Sequence, residues 1–82
     1  MKLIILEKLP RLSGKDVIKA LSKVGFKSIR QRGSHVFMAK EAIEAISKIT
    51  TVVPMHQEID RGTLLNIIRQ AKLTKEEFLN LL

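Results

Sequence analysis

The sequence predicts an α+β fold in which a three-stranded antiparallel sheet carries helices on one face. Three observations predict it. Apolar residues recur at helical spacing near both ends of the chain, the middle is rich in strand formers around a Gly-Ser turn, and the element order is α-β-β-β-α-α. Helices grouped at the two ends of a strand meander cover one side of the sheet and leave the other wet. Eighty-two residues suffice for a single domain, so residues 1–82 are read as one unit, with 1–8 as an N-terminal extension.

The first helix runs from about Gly14 to Val24. Ser13 and Asp16 have the spacing of an N-cap with an acidic third residue, Val17, Ile18, Ala20, Leu21 and Val24 share one face, and Gly25 supplies the stop. Phe26 to Arg32 reads as a strand, Gly33-Ser34 suits a two-residue type II′ turn, and His35 to Ala39 reads as the returning strand. The segment Lys40 to Ile49 fits either a short helix or a longer hairpin and is taken as a connection. Thr50 to Pro54 reads as the third strand, with Pro54 ending it or lying on an edge. A second helix spans about Gly62 to Lys72 on the apolar positions Leu64, Leu65, Ile67, Ile68 and Ala71. Thr74 and Glu77 form a capping box that opens a last short helix with Phe78, Leu79, Leu81 and Leu82 as its apolar side.

Charge is uneven along this framework. The chain carries a net charge of +7, and residues 1–35 hold nine Lys or Arg against Glu7 and Asp16, while the remainder is balanced. A basic half on a small domain concentrates polyanions, and nucleic acid is the commonest such partner; an acidic protein is the alternative. Lys15, Lys19 and Lys23 recur every four residues and form a basic ridge along the first helix, either a phosphate-tracking surface or ordinary solvated lysines. Cysteine is absent, which removes disulfides and thiolate chemistry. The aliphatic run Leu3 to Leu6 is far shorter than a signal-peptide core or a membrane span, so a cytoplasmic protein with no membrane association is expected.

The candidates for chemistry are few. Only two histidines are present, His35 just after the turn and His56 just past the third strand. If the second and third strands pair antiparallel, both reach one end of the sheet near Arg30 and Arg32. RNA cleavage without a metal needs a base for the 2′-hydroxyl proton, an acid for the departing 5′-oxygen, and positive charge around the phosphorus. Imidazole has the pKa for the first two tasks, and guanidinium groups supply the third. No metal site is expected, because a catalytic zinc usually takes three protein ligands and no HExxH or carboxylate pair occurs. No Gly-rich phosphate loop is present either. The plainer readings are a turn-flanking surface role for His35 and His56, and a turn-forming role for Ser34. Phe26, Phe37 and Phe78 fit core positions, too few and too buried for recognition by base stacking.

Read together, these pieces resemble the HicA toxins of toxin-antitoxin pairs. The likeness rests on Leu9-Pro10-Arg11-Leu12-Ser13-Gly14-Lys15, on Gly25-Phe26 followed by Arg30-Gln31-Arg32-Gly33-Ser34-His35, and on Thr51-Val52-Val53-Pro54-Met55-His56. It continues through Gly62-Thr63-Leu64, Ile67-Ile68, Gln70-Ala71 and Glu77-Phe78. The resemblance implies a double-stranded-RNA-binding-like fold, a type II toxin that cleaves mRNA as an endoribonuclease, and a HicB-type antitoxin that covers the basic face. It puts the catalytic histidine on His35 and gives His56 a matching position. Lys15, Lys19, Lys23, Arg30, Arg32 and Ser34 are then the expected RNA contacts, with no small-molecule cofactor. The sequence departs from the family pattern at 1–8, which precede the usual opening, and at 40–49, longer than the usual connection. Two other functions fit the residues: a noncatalytic RNA-binding module using the basic half, and a protein-interaction domain with an acidic partner.

Overall fold

A computed structural model describes residues 9–42 and 47–82; the N-terminal extension read at 1–8 lies outside them. The described elements are α1 (Gly14–Ser22), β1 (Lys27–Arg32), β2 (His35–Glu41), β3 (Lys48–Pro54), α2 (Arg61–Gln70) and α3 (Lys75–Leu79). The strands form one antiparallel sheet in the order β1-β2-β3, as the meander reading required.

Alternation along the strands decides which face is covered. Val36 and Met38 of β2 and Thr51 and Val53 of β3 point to the helices and are buried. They meet Val17, Ala20 and Leu21 of α1, Leu64, Ile67 and Ile68 of α2, and Phe78 of α3 in one core. Burying such side chains is the main favourable term in folding a chain of this size, at about 1.5–3 kcal/mol each. Thr51, the one polar residue among the buried strand positions, donates its hydroxyl proton to Gln70 Oε1 at 2.8 Å and so loses nothing on desolvation. Across the sheet, His35, Phe37 and Ala39 with Val52 and Thr50 lie on the face away from the helices.

The helix starts are capped as the sequence suggested. Ser13 and Asp16 exchange two hydrogen bonds, and Thr74 and Glu77 do the same. Asp60 caps α2 by accepting from the Thr63 amide and hydroxyl. At the end of α1 the Phe26 amide donates to Leu21 O and the Gly25 amide to Ser22 O, the paired bonds that close a helix against its next turn. The end of α2 repeats this pattern through Leu73 to Ile68 and Lys72 to Arg69, here with Lys72 at φ +63°.

Some boundaries differ from expectation. α1 and α2 end two residues earlier than read from the apolar stripe, because the closing turns take the last residues out of the helix. β1 starts at Lys27, since Phe26 is part of the α1 closing turn. The connection read over 40–49 is mostly hairpin: Lys40 pairs with Ile49 and Glu41 with Lys48, and the Ala42 amide donates to Ser47 O. Residues 43–46 lie outside the described set. Phe37, read as core, is half-buried on the open face, since Val36 and Met38 on either side take the inward positions.

Candidate functional site

The turn between β1 and β2 sets the site. Gly33 takes φ +57° and Ser34 a negative φ, the signs of a type II′ turn, which demands glycine or its like at the first central position. The tight turn places Arg32 directly across from His35, and β3 continues the row with Pro54. Arg32, His35 and Pro54 thus lie side by side at one end of the sheet. Arg30 is opposite Phe37 and holds its guanidinium 4.9 Å from the ring centroid, a cation–π contact that keeps the charge over the open face. His35, Arg30 and Arg32 are all exposed.

The end of β3 is tied to the same corner. The Met55 amide donates to Ser34 O at 2.6 Å, so Ser34 serves the fold through its carbonyl as well as its turn geometry. His56 follows directly, exposed, and its carbonyl accepts from the Gly14 amide at 2.9 Å. Ile59 donates to Leu12 O at 2.8 Å, completing a short strap in which 56–59 runs beside 12–14. Gly14 is required at this crossing by space: a methyl group there would fall 2.9 Å from Met55 Cα and closer still to the Pro54 carbonyl oxygen. The start of α1, the end of β3 and the hairpin tip therefore form one joint.

His35 opens β2, and His56 lies past the end of β3, two residues beyond Pro54, the partner of His35. The lysine ridge is split. Lys15 and Lys19 are exposed on α1, whereas Lys23 donates from Nζ to Leu81 O at 2.8 Å and fastens the C-terminal segment to α1. α1 packs on the covered face, so its lysines do not share the open surface with Arg30 and His35.

Two carboxylates have shifted titration. Asp16 is held below the usual aspartate range by hydrogen bonds from the Ser13 backbone and side chain, and Asp60 by those of the Thr63 side chain and backbone. Both are capping groups and belong to the helix ends. Among the described residues no group of three or more His, Asp or Glu side chains is placed to hold a metal ion, and no helix is long and apolar enough to cross a membrane.

Sequence reasoning missed three contributors, Phe37, Lys27 and Lys48. Phe37, read as core, alternates with Val36 and Met38, and the helices cover their face rather than its own. Lys27, across from Ala39 on the open face, and Lys48, across from Glu41, extend the positive charge away from His35; both stand at strand starts, where registry alone decides the face.

A comparison with curated proteins returned no match. The family model described as HicA toxin of bacterial toxin-antitoxin matches residues 14–73, from the first residue of α1 to just past the end of α2, and with the helix, three antiparallel strands and helix in this order the chain belongs to the HicA toxin family.

Proposed function

We propose that this protein is an endoribonuclease toxin that cleaves mRNA without a metal, with His35 as its catalytic acid or base. The carrying observation is the row of Arg32, His35 and Pro54 at the exposed sheet end, with Arg30 beside it. An accessible imidazole with Arg32 across the ladder and Arg30 farther along the same strand has the groups that phosphodiester cleavage needs. In the forward step, imidazole nitrogen takes the proton of a 2′-hydroxyl, the 2′-oxygen bonds to phosphorus, and the 5′-oxygen departs with a proton from an acid. Arg30 and Arg32 hydrogen-bond the nonbridging oxygens as charge builds on them. His56, on the adjacent segment, is the nearest second imidazole in sequence register and the candidate for the other proton transfer.

The whole chain is taken as one double-stranded-RNA-binding-like domain acting in the cytoplasm on mRNA, neutralised by a HicB-type antitoxin that covers the basic face. Lys15 and Lys19 are exposed on α1, so RNA that reaches them must pass from the open face round to the helix side, while Lys23 has a structural hydrogen bond to give up first.

The test compares growth and mRNA decay on induced expression of the wild type and of His35→Ala, at matched protein levels and with folding checked by circular dichroism. Losing a general acid or base lowers the rate by about 10²–10⁴-fold, so arrest should vanish in the variant. Cleavage of purified RNA should persist in excess chelator. Equal arrest by both proteins would take the chemistry away from His35 and favour toxicity through RNA binding alone, the second reading that the basic half supports.

A further inference from the structure

At the end of the sheet away from His35, the open face runs into a cleft of about 430 Å³ lined by Gly25, Lys27, Ile29, Ala39, Lys40, Glu41 and Lys48. Three ammonium groups and one carboxylate give it a net positive charge. No ion pair joins Glu41 to any of these lysines among the described residues. Lys40 is partly engaged, with Nζ 5.5 Å from the Phe26 ring centroid, whereas Lys27 and Lys48 are exposed. The floor is apolar: Ala39 is buried under the cleft, and Ile29, pushed out by the irregularity between Ser28 and Arg30, is 56 % exposed. A cationic rim of this kind is suited to a phosphate of a nucleic-acid strand.

We propose that this cleft is a second subsite for the RNA strand, holding a phosphate several nucleotides from the bond that is cut. The proposal rests on the ribonuclease reading of His35 and adds the path of the substrate. Lys27 is opposite Ala39, four residues along β2 from His35, and Lys48 is opposite Glu41, six residues along it. At about 3.3 Å per residue these are roughly 13 and 20 Å from His35. Phosphates of a duplex strand advance about 3.4 Å per nucleotide along the axis, and those of an extended strand advance farther, so the two lysines sit several nucleotides, at most about four to six, from the scissile position. Arg30, held over Phe37, lies between them and Arg32. Lys27, Arg30, Arg32 and Lys48 thus trace one cationic path on the face opposite the helices, with apolar Ala39, Phe37 and Val52 beside it.

The probes are fluorescent oligouridylates of about ten and about three nucleotides, bound to His35→Ala protein to prevent cleavage. Lys27→Ala/Lys48→Ala in that background should weaken the longer oligonucleotide several-fold, with the salt slope of log K shallower by about 1.4 for two lost phosphate contacts. The shorter one, which does not span the face, should bind as before. Arg61→Gln/Arg69→Gln on α2 removes the same charge from the helix side and serves as the control; Lys48→Glu gives a second, stronger perturbation. Four results overturn the proposal. Unchanged affinity and slope, with cleavage by the wild type established, would leave the ribonuclease and remove the cleft. Equal loss in the α2 control would reduce the effect to overall charge. Unchanged RNA binding with lost neutralisation by the antitoxin would give the cleft to the protein partner. No binding of either oligonucleotide by the parent at low salt would remove the RNA reading together with the subsite.

Discussion

Replacing Gly14 by alanine tests the joint on which the whole corner depends. The added methyl would stand 2.9 Å from Met55 Cα and closer to the Pro54 carbonyl oxygen, where carbon atoms in contact prefer about 3.5–4.0 Å. Both neighbours are backbone, held by the β2–β3 ladder and by the Met55 to Ser34 hydrogen bond, so neither can swing aside. Relief requires the start of α1 to retreat by about 1 Å, which would break the 2.9 Å hydrogen bond from Gly14 to His56 O. Overpacking costs about 1–3 kcal/mol and the lost hydrogen bond about 0.5–1.5 kcal/mol, while alanine regains up to about 1 kcal/mol of helix propensity. The net is a loss of about 1–3 kcal/mol, or roughly 5–20 °C in the thermal midpoint of a domain this size. Gly62 is the matched control, because it also opens a helix but its added methyl meets only Asp60 Oδ2 at 3.4 Å. Gly62→Ala should raise the midpoint by a few degrees, from about 0.4–1 kcal/mol. Differential scanning calorimetry on both variants decides the matter. A Gly14→Ala protein that melts at or above the wild type, or two glycine variants that move in the same direction, would refute the close packing of α1 on the end of β3.

Two further predictions concern helix ends. Lys72 holds φ +63° where a side chain is strained, so Lys72→Gly should stabilise the protein by about 0.5–1 kcal/mol in urea unfolding; destabilisation would mean that the Lys72 side chain has a packing role. Asp16 and Asp60 titrate below their usual value because the folded state favours their charged forms. Their contribution is therefore fully present above the unfolded-state pKa, near 3.9, and is lost as pH falls through the lower folded-state values. The melting temperature should decline below about pH 4, and Asp60→Asn should flatten that decline; a decline unaltered by the substitution would place its origin elsewhere.

The parts of the fold that are legible in the sequence are those governed by local rules. The Ser13–Asp16 and Thr74–Glu77 boxes, most of the apolar stripes of α1 and α2, and the Gly33-Ser34 turn each depend on residues close in the chain, and these occur as read, with both helices ending two residues earlier and Leu65 outside the core. The errors fall where two distant segments decide. Lys40, Glu41, Lys48 and Ile49 carry little strand signal on their own, and only pairing across the hairpin makes them strand. Phe37 is outward because Val36 and Met38 meet the helices, a choice that composition does not reveal. The placement of His35 beside Arg32 and Pro54 follows from a two-residue turn and an antiparallel ladder and could be anticipated; the hold of the His56 carbonyl on α1 could not, since it joins residues far apart in sequence through backbone atoms.

β1 is an edge strand whose six residues are all exposed, joined to the rest through β2 while the helices lean on β3. An element with so little buried surface opens more readily than its neighbours, and its amides should exchange with solvent first. Arg30 and Arg32 ride on that element. If Arg30 and Arg32 hold a phosphate as proposed, part of the binding free energy must go into stilling β1, and bound RNA or antitoxin would be visible as slowed exchange along β1 before any change in the core.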